Sequence, residues 1–201
     1  MGDTYKTIGK QGQSLHRVLA SKHLGFAIPI QSETEAKEHL QTFREKYDDA
    51  HHVCYAFRCG RVDLQRNSDD GEPSGTAGKP IGGAILSAGI TQVLVIVVRY
   101  FGGTKLGTGG LIQAYKTAAQ EAIEEAGVVE EEWLNQIQIT CDYQDLPQVM
   151  MVLKSLNAVK MYIEQLEKCQ LTYLLSPSKT DEFIRLSEGW KSALVEISPM
   201  N

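Results

Sequence analysis

Residues 93–115 have the sequence VLVIVVRYFGGTKLGTGGLIQAY. The successive apolar residues at its start predict a buried strand over 93–101, because a strand with one exposed face would alternate polar and apolar residues. A glycine-rich stretch over 102–110 and a helix over 111–126 are predicted to follow. The amino-terminal part of the chain is therefore expected to be organised around this one central strand.

The flanking sequence predicts further elements around the central strand. Strands are expected over 15–20, 25–30 and 51–59, and a capping box of Ser32 and Glu35 predicts a helix that runs to about residue 47. Pro80 opens another helix, whose apolar residues lie on one face at positions 81, 84, 85 and 88. These elements indicate an α+β or α/β domain.

A second pattern begins after Gly127, which is a favourable helix end. The acidic residues 130–132 are interpreted as a short linker. Strands are then predicted over 133–141, 159–166, 169–175 and 193–197, with helices over 146–156 and 178–186. The order strand-helix-strand-strand-helix-strand is that of a split βαβ, or ferredoxin-like, domain. We therefore predict an α+β protein with two domains, 1–129 and 130–201.

Composition limits the class of protein. The chain has 201 residues, of which 42% are hydrophobic and 22% charged, as in an ordinary globular protein. No apolar run reaches the roughly 18 residues of a membrane span, and the first residues lack the apolar core of a secretory signal. Cysteines 54, 59, 141 and 169 are therefore expected to be free thiols in a cytoplasmic protein that has no membrane partner.

Charge is unevenly distributed between the two predicted domains. The net charge is −5, which excludes a strongly basic nucleic-acid binder. Residues 1–129 contain 14 basic and 14 acidic side chains, whereas residues 130–201 contain 6 and 11. An anionic partner is therefore expected to bind the amino-terminal domain.

Two glycine-rich stretches, 68–79 and 99–110, each lead into the amino terminus of a predicted helix. Free backbone N–H groups and the positive end of a helix dipole can together bind an anion. The predicted anion- or ligand-binding residues are Lys79, Arg99, Gly102, Gly103, Thr104, Lys105, Gly107, Thr108 and Gly109. The alternative is that these glycines only build tight turns. Neither stretch matches a Walker A loop or a dinucleotide fingerprint, because proline occupies positions 73 and 80 and isoleucine occupies position 112.

Four further residues are acid, base or metal-ligand candidates: His52, Asp69, Asp70 and Glu72. The three carboxylates could hold Mg²⁺, although turn-forming aspartates and a solvated glutamate are the favoured interpretation. His52 and Cys54 face the same side of a strand, and a buried, inert thiol is favoured over a reactive pair. We expect no metal and no cofactor.

Three segments resemble the YigZ/IMPACT family: residues 49–57, residues 69–81 and residues 97–111, in the order and spacing of that family. The resemblance covers roughly residues 13–127. It implies an amino-terminal domain like the second domain of ribosomal protein S5. The carboxyl-terminal tail resembles the second domain of the bacterial YigZ branch, which implies a ferredoxin-like domain like one in elongation factor G.

The resemblance also implies an association with translation, through RNA, the ribosome or a translation-related protein. It supplies no catalytic residues, and the chain contains no complete catalytic constellation. A cytoplasmic, translation-associated regulatory binding protein that uses loops 69–79 and 99–110 is therefore our first hypothesis. The alternative is a hydrolase or transferase that acts on a phosphorylated small molecule at the same loops.

Overall fold

The computed structural model describes residues 2–165, 167–190 and 192–200. This part of the chain contains five helices and eleven strands and is α+β. It divides into two compact units, one of residues 6–130 and one of residues 131–200 together with residues 2–5. The start of the chain thus belongs to the carboxyl-terminal unit, whereas the predicted boundaries assign it to the first domain.

The amino-terminal unit contains a five-stranded antiparallel sheet of order β2-β3-β6-β4-β5. Its elements in chain order are β2 (Gly12–Val18), β3 (Ser21–Pro29), α1 (Glu33–Lys46), β4 (His52–Cys59), β5 (Leu64–Ser68), α2 (Gly78–Ala88), β6 (Val93–Tyr100) and α3 (Gly107–Ala126). Preceding them, β1 (Thr4–Ile8) pairs with β7 (Val128–Glu132) in a separate two-stranded sheet.

The central strand β6 is covered on both faces, as the sequence predicts. Val93, Val95 and Val97 pack into a core with residues of α2 and α3, including Ile81 and Tyr115. The alternate residues of β6 pack against α1 on the other face. The side chain of Ser32 accepts the backbone N–H of Glu35 at 3.2 Å, which confirms the predicted helix cap.

Several predictions for the first 132 residues are wrong or incomplete. Residues 130–132 are part of β7 rather than a linker; the strand is exposed along its whole length, so no alternating pattern reveals it. The polar strand β5 is likewise exposed or half-buried at the edge of the sheet. The strand predicted over 15–20 ends at Val18, because residues 19 and 20 form the turn to β3. This turn has positive φ at Leu19 and Ala20, without the glycine or asparagine that usually marks such a turn.

The carboxyl-terminal unit has the predicted element order: β8 (Asn135–Cys141), α4 (Leu146–Ser155), β9 (Val159–Gln165), β10 (Cys169–Leu175), α5 (Pro177–Ser187) and β11 (Leu194–Pro199). Residue 166, the last residue of the predicted strand 159–166, lies outside the described residues. The antiparallel sheet has the order β11-β8-β10-β9. Its core contains Val149 and Leu153 of α4 and Phe183 of α5. This is the split βαβ topology.

Within the described chain, no helix combines the length and apolar character that crossing a membrane requires.

Candidate functional site

A cavity of about 430 Å³ in the amino-terminal unit is lined by residues of both glycine-rich stretches. The first stretch contributes Glu72 and Pro73, and the second contributes Arg99, Phe101 and Lys105 through Thr108. The remaining lining residues are His51 and His52, at the start of β4, and Leu111, in the second turn of α3. The two stretches therefore meet at one edge of the sheet.

A buried carboxylate lies at this cavity. Glu72 is only 8% exposed, and its Oε1 atom accepts hydrogen bonds from Nη1 of Arg99 at 2.5 Å and from the hydroxyl of Tyr115 at 2.7 Å. Nε2 of His52 lies 3.8 Å from the same oxygen. The interpretation of Glu72 as a solvated residue is therefore wrong, because three side chains from three different elements surround its carboxylate.

Arg99 is also buried, with 5% of its surface exposed. Its Nε atom has no hydrogen-bond partner among the described residues, although the side chain lines the cavity. The guanidinium carbon lies 5.5 Å from the centre of the Phe101 ring. The guanidinium donates from Nη1 to Glu72 and keeps further N–H groups, which can serve an acceptor that enters the cavity.

The amino terminus of α3 opens at this cavity. The helix begins at Gly107, four residues earlier than predicted, and Leu106 at the N-cap provides no side-chain hydrogen bond. Gly107 and Thr108 both line the cavity. The first N–H groups of a helix have no partner within the helix, so this end can bind an anion.

The amino terminus of α2 is closed by a side chain of the protein itself. The Asp69 carboxylate accepts the backbone N–H groups of Gly75, Ala77 and Gly78 at 2.7, 3.0 and 2.8 Å. Burial works to raise the pKa of Asp69, but these three hydrogen bonds together hold the pKa below its usual value. The carboxylate occupies the place of an external anion, so the first glycine-rich stretch does not offer the free amide groups expected of it.

Asp70 and Cys54 also have structural partners. Oδ2 of Asp70 accepts the N–H of Val53 at 2.7 Å. Sγ of Cys54 lies 3.0 Å from the carbonyl oxygen of Asp69 and 3.4 Å from the hydroxyl of Tyr115. Burial raises the pKa of the Cys54 thiol to about 12. Cys54 is thus buried and a neutral thiol, and among the described residues its hydrogen-bond partners are Asp69 and Tyr115 rather than His52.

The hydrogen bonds of the two histidines fix their tautomers. Nδ1 of His52 lies 2.8 Å from the carbonyl oxygen of Asp70. Since a carbonyl only accepts, Nδ1 carries the proton and Nε2 has the free lone pair when the ring is neutral. Nδ1 of His51 instead accepts the N–H of Phe101 at 3.3 Å, so its proton is on Nε2. In the neutral rings, Nε2 of His52 is therefore a hydrogen-bond acceptor, whereas Nε2 of His51 is a donor.

The predicted ligand-binding residues are only partly brought together. Arg99, Lys105, Gly107 and Thr108 line the cavity, together with His52 and Glu72. The other candidates do not line it: Lys79, Gly102, Gly103, Thr104, Gly109, Asp69 and Asp70. Gly102 has a packing role, because a Cβ atom there would lie 2.2 Å from the backbone of Ala20.

Sequence reasoning missed a row of polar residues across the sheet. His16, His23, Arg99 and His52 are register partners on β2, β3, β6 and β4. The His23 ring is fully buried, and burial together with Arg99 lowers its pKa to about 4. Only strand register could have aligned these residues, and register is not visible in a single sequence.

The described residues contain no group of three or more histidine, cysteine, aspartate or glutamate side chains arranged to hold a metal ion. In this region Asp69 and Asp70 bind backbone N–H groups, and Glu72 pairs with Arg99. The magnesium hypothesis for these three carboxylates therefore has no geometric support.

The fold and the cavity define a class: an α+β protein with a ligand-sized pocket between two glycine-rich loops at a sheet edge. The family sequence model called Impact N-terminal domain matches residues 19–123 of this chain. The chain is 30% identical to IMPACT family member YvyE of Bacillus subtilis over 90% of this chain and 83% of that protein. It is 37% identical to IMPACT family member YigZ of Escherichia coli over 55% and 56% of the two chains. The chain belongs to the IMPACT family, which confirms the resemblance.

One solved structure has the same fold over the whole chain. It is the crystal structure of a hypothetical protein, with a TM-score of 0.72 and 24% identity, and the match covers 100% of this chain and 99% of that one. This likeness concerns the fold alone.

Proposed function

We propose that this chain is a cytoplasmic, translation-associated binding protein that holds an RNA phosphate group in the α3 cavity. One observation carries the proposal: the uncapped amino terminus of α3 opens at a cavity whose wall also contains the cationic side chains of Arg99 and Lys105. Backbone N–H groups, the helix dipole and a cationic side chain are the donors that proteins use for phosphate.

Lys105 supplies the exposed charge of this site. It lines the cavity beside the first turn of α3, and no acidic partner within ion-pair distance is found for it among the described residues. Arg99, by contrast, has its charge balanced by Glu72. We therefore assign the long-range attraction of a polyanion to Lys105, and the short-range hydrogen bonding to Arg99 and the helix end.

The association with translation rests on the family and on the expected domain likenesses. We propose that the amino-terminal unit is like the second domain of ribosomal protein S5, and the carboxyl-terminal unit like a ferredoxin-like domain of elongation factor G. The split βαβ strand order supports the second likeness. Fold likeness alone does not fix a function, so the ligand is argued from the cavity.

The test is a titration of a short single-stranded RNA and of inorganic phosphate against the wild-type protein and Lys105→Ala. Lys116→Ala is the matched control, because Lys116 is exposed on the same helix but does not line the cavity. RNA affinity should fall with added salt, and Lys105→Ala should reduce that salt slope by roughly one unit. Equal slopes for Lys105→Ala and the control, or absence of binding, would refute the proposal and leave a protein partner.

A second candidate function is hydrolysis or group transfer on a phosphorylated small molecule. The observation that favours it is the His52 ring, which the Asp70 carbonyl orients and whose Nε2 atom lines the cavity 3.8 Å from Oε1 of Glu72. A lone pair held in this way can act as a general base toward a water molecule or hydroxyl. Release of phosphate from p-nitrophenyl phosphate by the wild type, lost in His52→Ala, would support this candidate.

A further inference from the structure

We infer that the cavity takes one ribonucleotide unit, with its phosphate at the start of α3, a ribose hydroxyl on Glu72 and the base against Phe101. This inference rests on the proposed phosphate site and extends it to the rest of the ligand. It concerns the ligand chemistry, which a free nucleotide and an RNA strand share.

The Glu72 carboxylate has a second oxygen, Oε2, that can bind a ligand. All the hydrogen bonds that the described residues make to this carboxylate go to Oε1, from Arg99 and Tyr115. The residue lines the cavity, so Oε2 is the acceptor that remains for a ligand. An ionised carboxylate has no donor of its own, and the matching ligand group must therefore be a hydrogen-bond donor.

The charges of Arg99 and Glu72 indicate that the donor on the ligand is a hydroxyl group rather than an ammonium group. Arg99 lies 2.5 Å from Glu72 and already neutralises it. A second buried cation would face the Arg99 guanidinium without a carboxylate of its own, which is unfavourable in a partly dehydrated cavity. A neutral hydroxyl satisfies Oε2 without adding charge.

The donor on Arg99 complements this arrangement. Its guanidinium belongs to the cavity wall and gives one N–H group, on Nη1, to Glu72. The other N–H groups of the guanidinium can donate to an acceptor on the ligand, such as a phosphate oxygen. The cavity thus requires an acceptor-rich group near Arg99 and α3 and a donor near Glu72, which is the pattern of a sugar phosphate.

The apolar residues that line the cavity favour a ligand that carries a nucleobase. Phe101 is 38% exposed, and Pro73, Leu106 and Leu111 add apolar surface to the cavity. An aromatic ring at the edge of a binding site stacks on any nucleobase, independently of sequence. The volume of about 430 Å³ is in the range of small-molecule sites, so the cavity suits one nucleotide rather than a longer segment.

The experiment compares ligands on the unmodified protein, so that it does not depend on a variant folding. Affinities are measured by calorimetry for inorganic phosphate, adenosine 5′-monophosphate and its 2′,3′-dideoxy form. We expect the ribonucleotide to bind about tenfold more tightly than the dideoxy form, as for a hydrogen bond to a charged group. Phe101→Ala should weaken binding of the nucleotide but not of phosphate, whereas Ile112→Ala, at an exposed α3 residue away from the cavity, should change neither.

A short RNA measured against the monophosphate distinguishes the two sources of the ribonucleotide. Tighter binding of RNA indicates the polymer, and tighter binding of the monophosphate indicates the free nucleotide; either result supports the inference. Equal affinity of the ribose and dideoxy forms, with phosphate still bound, overturns the inference and leaves the proposed phosphate site intact. If phosphate, the nucleotide and RNA all fail to bind, the inference and the proposed phosphate site are both refuted.

Discussion

Arg99 and Glu72, which are 27 residues apart in the chain, form a buried ion pair in which Nη1 of Arg99 lies 2.5 Å from Oε1 of Glu72. The arginine belongs to the central strand β6, and the glutamate belongs to the first glycine-rich stretch. The pair therefore fixes this stretch against the sheet at the edge where the cavity lies.

Removal of either partner of this pair leaves an uncompensated charge in the protein interior. Arg99→Met and Glu72→Gln are each expected to lower the free energy of unfolding by about 3–5 kcal/mol. The double variant should lose less than the sum of the two, because neither charge then remains unpaired. Urea unfolding at pH 7 measures all three. Lys37→Met, which breaks the exposed pair with Glu33, is the control and should cost under about 1 kcal/mol. A double variant that loses as much unfolding free energy as the two single variants together would contradict an energetic coupling between Arg99 and Glu72.

Asp69→Ala removes the carboxylate that caps α2. The expected loss in unfolding free energy is about 1–2 kcal/mol, as for other helix caps. Because the folded-state pKa of Asp69 is lowered, its contribution is complete above the ordinary pKa and is lost as the pH falls through the folded value. The difference between wild type and variant should therefore shrink in acid. Thermal melts from pH 7 downward test this, with Asp48→Ala, an exposed aspartate, as the control.

His23 should make the amino-terminal unit less stable at acidic pH. Its pKa is lowered to about 4 by burial and by Arg99 and His16, so the unfolded chain binds the extra proton first. The stability that the neutral ring provides is complete above about pH 6.5 and is progressively lost toward pH 4, a loss of about 3 kcal/mol.

The variant His23→Phe tests this assignment, because neither ring nitrogen of His23 has a partner among the described residues. Phenylalanine keeps the edge contact with the Tyr115 ring and should flatten the pH dependence of the unfolding free energy between pH 6.5 and 4. His39→Gln, on the partly exposed face of α1, should leave it unchanged. An unaltered slope in His23→Phe would show that other groups are responsible.

Cys54 should resist alkylation in the native protein. The thiol is fully buried, and its pKa is raised to about 12, so almost no thiolate is present at pH 8. Mass spectrometry after iodoacetamide treatment should find Cys54 unmodified in buffer and modified in urea. Rapid native labelling would instead support a reactive thiol.

The sequence predicts the elements whose patterns are set by burial. The uniformly apolar residues 93–98 predict the central strand, and the alternation and spacing of apolar residues beyond position 133 predict the split βαβ order. Elements without a buried face are not predicted, because they have no apolar pattern. Strand β7 is exposed at every position, and the first turn of α3 consists of glycines and a threonine that favour no helix.

The site was less predictable because its contacts join distant positions. The sequence shows that Asp69 precedes a helix, but not that its carboxylate folds back onto Gly75, Ala77 and Gly78. It also gives no sign that Tyr115 of α3 reaches Glu72. Two glycine-rich stretches of similar composition thus have different roles, since an aspartate closes one helix end and the other remains open.

The alignment of histidines across the sheet gives this protein a built-in set of spectroscopic reporters. The chain has five histidines, of which His51 and His52 line the cavity. His16 and His23 lie in the same register row as His52. His39 lies on α1, with its Nε2 atom 3.9 Å from Oε1 of Glu35, and does not line the cavity, so its resonance is a control for ligand entry. The imidazole resonances of the unlabelled protein should therefore report ligand entry at residues 51 and 52 and protonation at residue 23, in a single nuclear magnetic resonance titration.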